Sequence, residues 1–203
     1  MKHTSTRAVF DYWNRLRGNR AAPERADIDP GDIRHALGDT FMLAADFVDQ
    51  LRFRLAGTRV CALFAREIKG EAFNELWPEA SRGAIDELLA IVVNEKVGVV
   101  AGLTGRTADG AGSDLEMMLL PLAHSGQGRV RALGVLTPLV PPYWIGTTPV
   151  AEFELGALRH VGAELEGGRT PLLVPEPDPI RLRRHGFVVY SGGLATPSGD
   201  ETG

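Results

Sequence analysis

Leu51-Arg52-Phe53-Arg54-Leu55-Ala56-Gly57-Thr58-Arg59-Val60-Cys61-Ala62-Leu63-Phe64 decides the fold. Leu51, Phe53 and Leu55 alternate with Arg52 and Arg54, the period of a strand with one apolar and one wet face. Gly57-Thr58 breaks that period. From Arg59 to Arg66 the apolar residues Val60, Leu63 and Phe64 instead follow helical spacing. A strand that turns directly into a short helix is the nucleus around which the other segments are placed.

Upstream, the apolar-rich run Phe41 to Phe47 and the intervening Val48-Asp49-Gln50 predict an antiparallel partner strand joined by a tight turn. Downstream, Gly70 ends a turn, Phe73, Leu76 and Trp77 form an aromatic-rich segment, and Pro78 stops it. Ile85, Leu88, Leu89, Val92 and Val93 then mark an amphipathic helix over Glu79 to Val93. Three extended runs follow, Lys96 to Arg106, Ser113 to Leu122 and Arg129 to Thr137, separated by glycine-rich turns. The expected fold is α+β: a five-stranded antiparallel sheet over 38–138 with short helices on one face.

Outside that core, Thr4 or Ser5 is placed to cap a first helix with Val9, Phe10, Trp13 and Leu16 on one stripe and Gly18 as its stop. Residues 1–37 are therefore read as an N-terminal helical extension, with Asp29-Pro30-Gly31-Asp32 opening a second short helix. Residues 139–166 are expected to hold a C-terminal helix, since Phe153, Leu155, Leu158 and Val161 fall roughly on one side. Residues 167–203 are rich in proline and glycine and are expected to be a mobile tail.

The 203 residues are 44% hydrophobic and 24% charged, as in ordinary globular proteins. The net charge of -4 provides no global field for gathering nucleic acid, so no nucleic-acid partner is expected. No apolar stretch follows Lys2 and Arg7, and no run reaches the ~18 apolar residues that span a bilayer. A cytoplasmic protein without a signal peptide or transmembrane segment is the expectation. Cys61 is the only cysteine, which excludes an intramolecular disulfide and a cysteine-rich metal site.

A longer string carries a resemblance. Tyr12-Trp13-x-x-Leu16-Arg17-Gly18, Pro23-x-Arg25-x-Asp27-Ile28-Asp29-Pro30, Phe53-Arg54-Leu55-Ala56-Gly57-Thr58 and Arg66-Glu67-Ile68-x-Gly70, completed by Phe73, Leu76 and Trp77, resemble a bacterial family of small stand-alone PAS-like proteins. The resemblance spans about Tyr12 to Pro138. It implies a sensory or regulatory module of the PAS superfamily, one that binds a ligand or protein partner and modulates a separate effector in bacterial signalling. It does not imply an enzyme. Phe53, Leu55, Cys61, Phe64, Phe73, Trp77 and Met117 are the residues expected to line a cleft for a small molecule. Phe10, Trp13 and Leu16 are expected to contact a protein partner or a second copy, unless the first helix folds back on its own core.

The chemical candidates are weaker. Cys61 lies where flavin-binding light sensors carry a reactive cysteine, but its neighbours lack their asparagine-cysteine-arginine-phenylalanine pattern, and a lone cysteine among aliphatics is usually a small buried hydrophobe. His35 and His124 are the histidines considered for haem, and none of the five histidines has metal-ligand spacing. No cofactor or metal is therefore expected. Asp114 and Glu116 support an alternative reading as a small α+β enzyme or ligand-binding protein with an acidic residue in a pocket. Arg181-x-Arg183-Arg184-His185 supports another, a nucleotide-responsive regulator acting through a basic tail. Ser191-Gly192-Gly193 lacks the strand-to-helix elbow of a hydrolase nucleophile.

Overall fold

The structure, a computed structural model, describes residues 1–45, 50–123 and 130–162. The tail, the arginine cluster at 181–185, Ser191 and His124 lie outside the described residues. In chain order the elements are α1 (Thr4–Arg17), β1 (Thr40–Ala45), β2 (Arg52–Ala56), α2 (Thr58–Leu63), α3 (Glu79–Asn94), β3 (Gly98–Thr107), β4 (Gly112–Leu122), β5 (Val130–Pro138) and β6 (Val150–Val161). Short 3-10 turns at Pro30–Ile33, Leu37–Asp39 and Phe73–Leu76 connect them. The strands form one antiparallel sheet in the order β2-β1-β5-β4-β3-β6.

Five of these strands are the expected ones, and the sixth is a correction. The helix expected within 139–166 is the strand β6, hydrogen-bonded to β3 from Val150 to Val161. Its register slips twice, opposite Arg106/Thr107 and opposite Ala101/Leu103. Each slip adds a residue to β6. The inward residues Val150, Phe153 and Leu158 are therefore spaced by three and five instead of two, which in sequence imitates a helix.

Both faces of the sheet are covered. Phe41, Leu43, Phe53, Val99, Ala101, Leu103, Leu115, Met117, Leu119 and Leu136 pack on the inner side with α2, α3 and the Phe73–Leu76 turn. Met42, Val100, Met118, Leu120, Leu122, Leu133 and Val135 pack on the outer side against α1 and the Pro30–Ile33 turn. The wet outer face expected of these strands thus holds for part of the sheet only; β4 is buried on both sides from Leu115 to Leu122.

α1 begins one residue before the expected cap. His3 is the N-cap, its Nδ1 accepting from the Ser5 amide at 3.2 Å. That leaves the Ser5 hydroxyl inside the helix, free to donate to Asp39 Oδ2 at 2.5 Å. Trp13 is fully buried, and its indole Nε1 donates to the Pro121 carbonyl at 2.8 Å. The expectation that Trp13 meets a partner is therefore corrected: the helix folds back on its own sheet, because a stripe holding Val9, Tyr12 and Trp13 finds Met118, Leu120 and Leu122 uncovered. Phe10 and Leu16 stay half-buried at the margin of that contact.

Candidate functional site

The strand-to-helix nucleus is held by a contact that only glycine permits. A Cβ on Gly57 would lie 2.1 Å from the Leu37 carbonyl oxygen and 2.4 Å from that of Gly38. With hydrogen there instead, the backbone at Leu37–Gly38 presses against the start of α2, and Arg59 reaches Asp39. Arg59 Nε donates to Oδ1 at 2.6 Å and Nη2 to Oδ2 at 2.8 Å, a bidentate clamp. The carboxylate is 3% exposed while the guanidinium is 55% exposed. Burial alone would raise the Asp39 pKa, but the bonds from Arg59 and Ser5 outweigh it and hold the carboxyl below its ordinary value.

A second carboxylate pins the same helix. Glu116 of β4 is buried, and its two oxygens accept from the amides of Lys2 at 2.6 Å and His3 at 3.0 Å, just ahead of α1. Burial pushes this carboxyl up; the two amide hydrogen bonds push it further down, leaving it below the ordinary glutamate value. Asp114, two residues earlier, is exposed.

Both acids have depressed folded pKa values, so the unfolded chain binds more protons than the native one in the acid range. Their stabilisation is complete above the unfolded carboxylate values, about pH 4, and is lost as pH falls through the lower folded values. Arg59→Ala is expected to reduce stability by about 1 to 2 kcal/mol, discounted for the exposed guanidinium, and to shallow this acid loss. Urea melts of both proteins between pH 2 and 7 read it out. Identical acid slopes would show that Arg59 does not control the Asp39 carboxyl.

On the inner face, six of the seven residues expected to line a cleft come together: Phe53, Cys61, Phe64, Phe73, Trp77 and Met117 share one buried cluster. Their rings run in contact. Phe41 lies 5.3 Å from Phe53 and 5.8 Å from Phe73; Trp77 bridges Phe73 at 6.2 Å and Phe153 at 5.4 Å; Phe64 meets Phe153 edge-on at 5.7 Å. Phe41 itself folds over Gly134, where any Cβ would lie 2.1 Å from its ring. Trp77 is 2% exposed, yet its Nε1 has no hydrogen-bond partner among the described residues, and neither has the buried Asn74 Oδ1. A buried donor without an acceptor costs about 1 to 3 kcal/mol relative to one that is satisfied.

Leu55 is the exception. Met42 pairs with Leu55 but the next residue, Leu43, pairs with Phe53, so Arg54 is an extra, bulged residue. The bulge turns Leu55 to the outer face, where it is 55% exposed, and its expected place in the cleft is corrected on that ground. Phe41 and Phe153 are the residues sequence reading missed. Phe153 was hidden by the helical spacing of its strand, whereas Phe41 stood opposite Gly134 in register and could have been found by pairing the two strands.

Cys61 is buried, and burial raises its thiol above the ordinary cysteine value, the reverse of what a reactive thiolate needs. His35 is exposed on the connector before β1. Among the described residues no group of three His, Cys, Asp or Glu side chains could hold a metal.

A family profile described as PAS domain matches residues 1–137, the stretch that runs from α1 through the helices on the inner face into β5. The chain belongs to the PAS domain family. The match takes in α1 as well as β1 to β5, whereas β6 lies beyond it.

Solved structures similar to this PAS protein include the light-state structure of the blue-light photoreceptor Aureochrome1 LOV, at 19% identity over 55% of this chain and 88% of that one, with a TM-score of 0.41. The PAS domain of a protein from Colwellia psychrerythraea is similar at 18% identity over 54% and 97%, with a TM-score of 0.38. An RNA-binding Light-Oxygen-Voltage receptor is similar at 16% identity over 54% and 33%, with a TM-score of 0.41. No curated protein matches the chain. No helix among the described residues is long and apolar enough to cross a membrane.

Proposed function

We propose that this PAS protein is a sensory or regulatory module of bacterial signalling: it binds a ligand or protein partner and modulates a separate effector, with no chemistry of its own. PAS domains are generally sensory, and the observation that carries the sensing role here is the buried Trp77 indole N–H, without an acceptor among the described residues and set inside a ring of aromatic side chains. A small molecule with an aromatic or aliphatic body and one hydrogen-bond acceptor suits that environment. β1, β4 and β5 separate this interior from α1, so a shift of Phe41 or Met117 on one face presses on Met42 or Met118 on the other. Occupancy would bias α1 only by as much as the ligand's affinities for two arrangements differ.

The alternative of an acidic catalyst has less to support it. Asp114 is exposed, and both Glu116 oxygens already accept backbone hydrogen bonds that favour its ionised form. A carboxylate tied in this way serves α1 better than it would serve proton transfer.

Native mass spectrometry of the full chain, together with thermal melts across a metabolite panel, tests the sensing role. A retained or stabilising small molecule is expected, and Trp77→Phe should weaken its binding by up to about tenfold, while in the unliganded protein the cavity left by the smaller ring is offset in part by removal of the unpaired donor. Neither a retained mass nor any thermal shift across the panel would remove the ligand half of the reading.

A further inference from the structure

The bulge at Arg54 has a second effect, on the outside of the sheet. Cross-strand partners share a face, so Leu55, Met42 and Leu133 form one row across β2, β1 and β5, and Arg52, Ala44 and Arg131 form the next. The first row floors a groove of about 180 Å³ walled by Ile28, Pro30, Ile33 and Leu37. α1 does not close it, and Leu55 remains 55% exposed there. At the other end of β2 a second depression, about 390 Å³, is formed by Arg52, Arg54 and Lys69 around Phe53 and Gly70.

Among the described residues lining the two depressions, Arg25, Arg52, Arg54 and Lys69 are charged and none is acidic. That is against the balance of a chain with 26 acidic and 22 basic residues. We propose that this side of the sheet, along β2, is a docking surface for an acidic protein segment that places one large apolar side chain on Leu55 and Met42 and its carboxylates on Arg52, Arg54 and Lys69. Charge complementarity selects the partner, and the apolar groove supplies the anchor. A concave groove between sheet and connector suits an inserted side chain. A lipid surface needs protruding apolar residues instead.

The surface shares Phe41 and Phe53 with the aromatic interior but not Trp77, and Leu55, Arg54 and Lys69 lie outside that interior, so substitutions at these positions test it apart from the ligand reading. The probe is a fluorescent synthetic peptide with one phenylalanine and one leucine flanked on both sides by glutamates, titrated with the full chain. Saturable binding is expected, weakening as salt rises. Leu55→Asp and the pair Arg54→Glu, Lys69→Glu should each weaken it by about tenfold or more, with unchanged circular dichroism because all three side chains are exposed. Trp77→Phe should leave it unaltered. Methyl resonances of Met42 and Leu133 should shift on titration. No binding, equal binding of a peptide with lysines for glutamates, or full affinity in Leu55→Asp would each overturn the proposal. So would capture by phosphatidylserine vesicles in preference to the peptide. Self-association abolished by Leu55→Asp would assign the groove to a second copy and likewise overturn it.

Discussion

Trp13→Asp is expected to unfold the outer half of the molecule rather than trim a docking surface. The side chain is fully buried, stacks on Phe10 with ring centroids 6.2 Å apart, and ties α1 to β4 through the Pro121 carbonyl. Truncating a buried tryptophan costs about 3 to 5 kcal/mol, and a charge placed in the remaining cavity adds a desolvation term. Against a total stability of about 5 to 15 kcal/mol, that is enough to leave many domains largely unfolded at 37 °C. Urea denaturation followed by circular dichroism measures it, with Trp13→Phe, which keeps the ring and loses the hydrogen bond, falling between the two. A Trp13→Asp protein with wild-type stability would mean that α1 does not rest on the sheet.

Gly57→Ala is expected to have the next largest effect, on the inner half. The new methyl would sit 2.1 Å from a backbone oxygen, which no side-chain rotation relieves, so either the Leu37–Gly38 segment or the first turn of α2 has to move. Overpacking typically costs about 1 to 3 kcal/mol and more when backbone is displaced. Because Arg59 follows in the same turn, its two bonds to Asp39 should lengthen, and the acid-range loss of stability should come to resemble that of Arg59→Ala. A Gly57→Ala protein that melts like wild type and keeps the wild-type acid slope would refute this account of the turn.

Much of the architecture was legible because its signals are local. The alternation in β2, the break at Gly57-Thr58 and the apolar stripe of α3 each depend on residues near one another in the chain. What escaped depends on an extra residue or on a distant neighbour. The bulge at Arg54 reverses the face of Leu55 without altering its sequence pattern, and the two slips in β6 turn a two-residue period into a helix-like one. The burial of Trp13 follows from what the far side of β4 offers, which no window around Trp13 contains. The candidate interior was found through its aromatic residues. Its orphan indole donor could not be, since an unsatisfied hydrogen bond is a property of the folded surroundings.

The two slips of β6 bear on how these molecules behave when crowded. β6 is an edge strand twelve residues long, and among the described residues no strand pairs with its outward edge. A straight edge of that length would template pairing with the next molecule. Two added residues bend and twist it, Glu152, Glu154 and Arg159 place charges along it, and an incoming strand cannot hold one register from end to end. The irregularity that disguised the strand in sequence therefore also works against edge-to-edge pairing, and deleting both inserted residues is expected to favour that pairing.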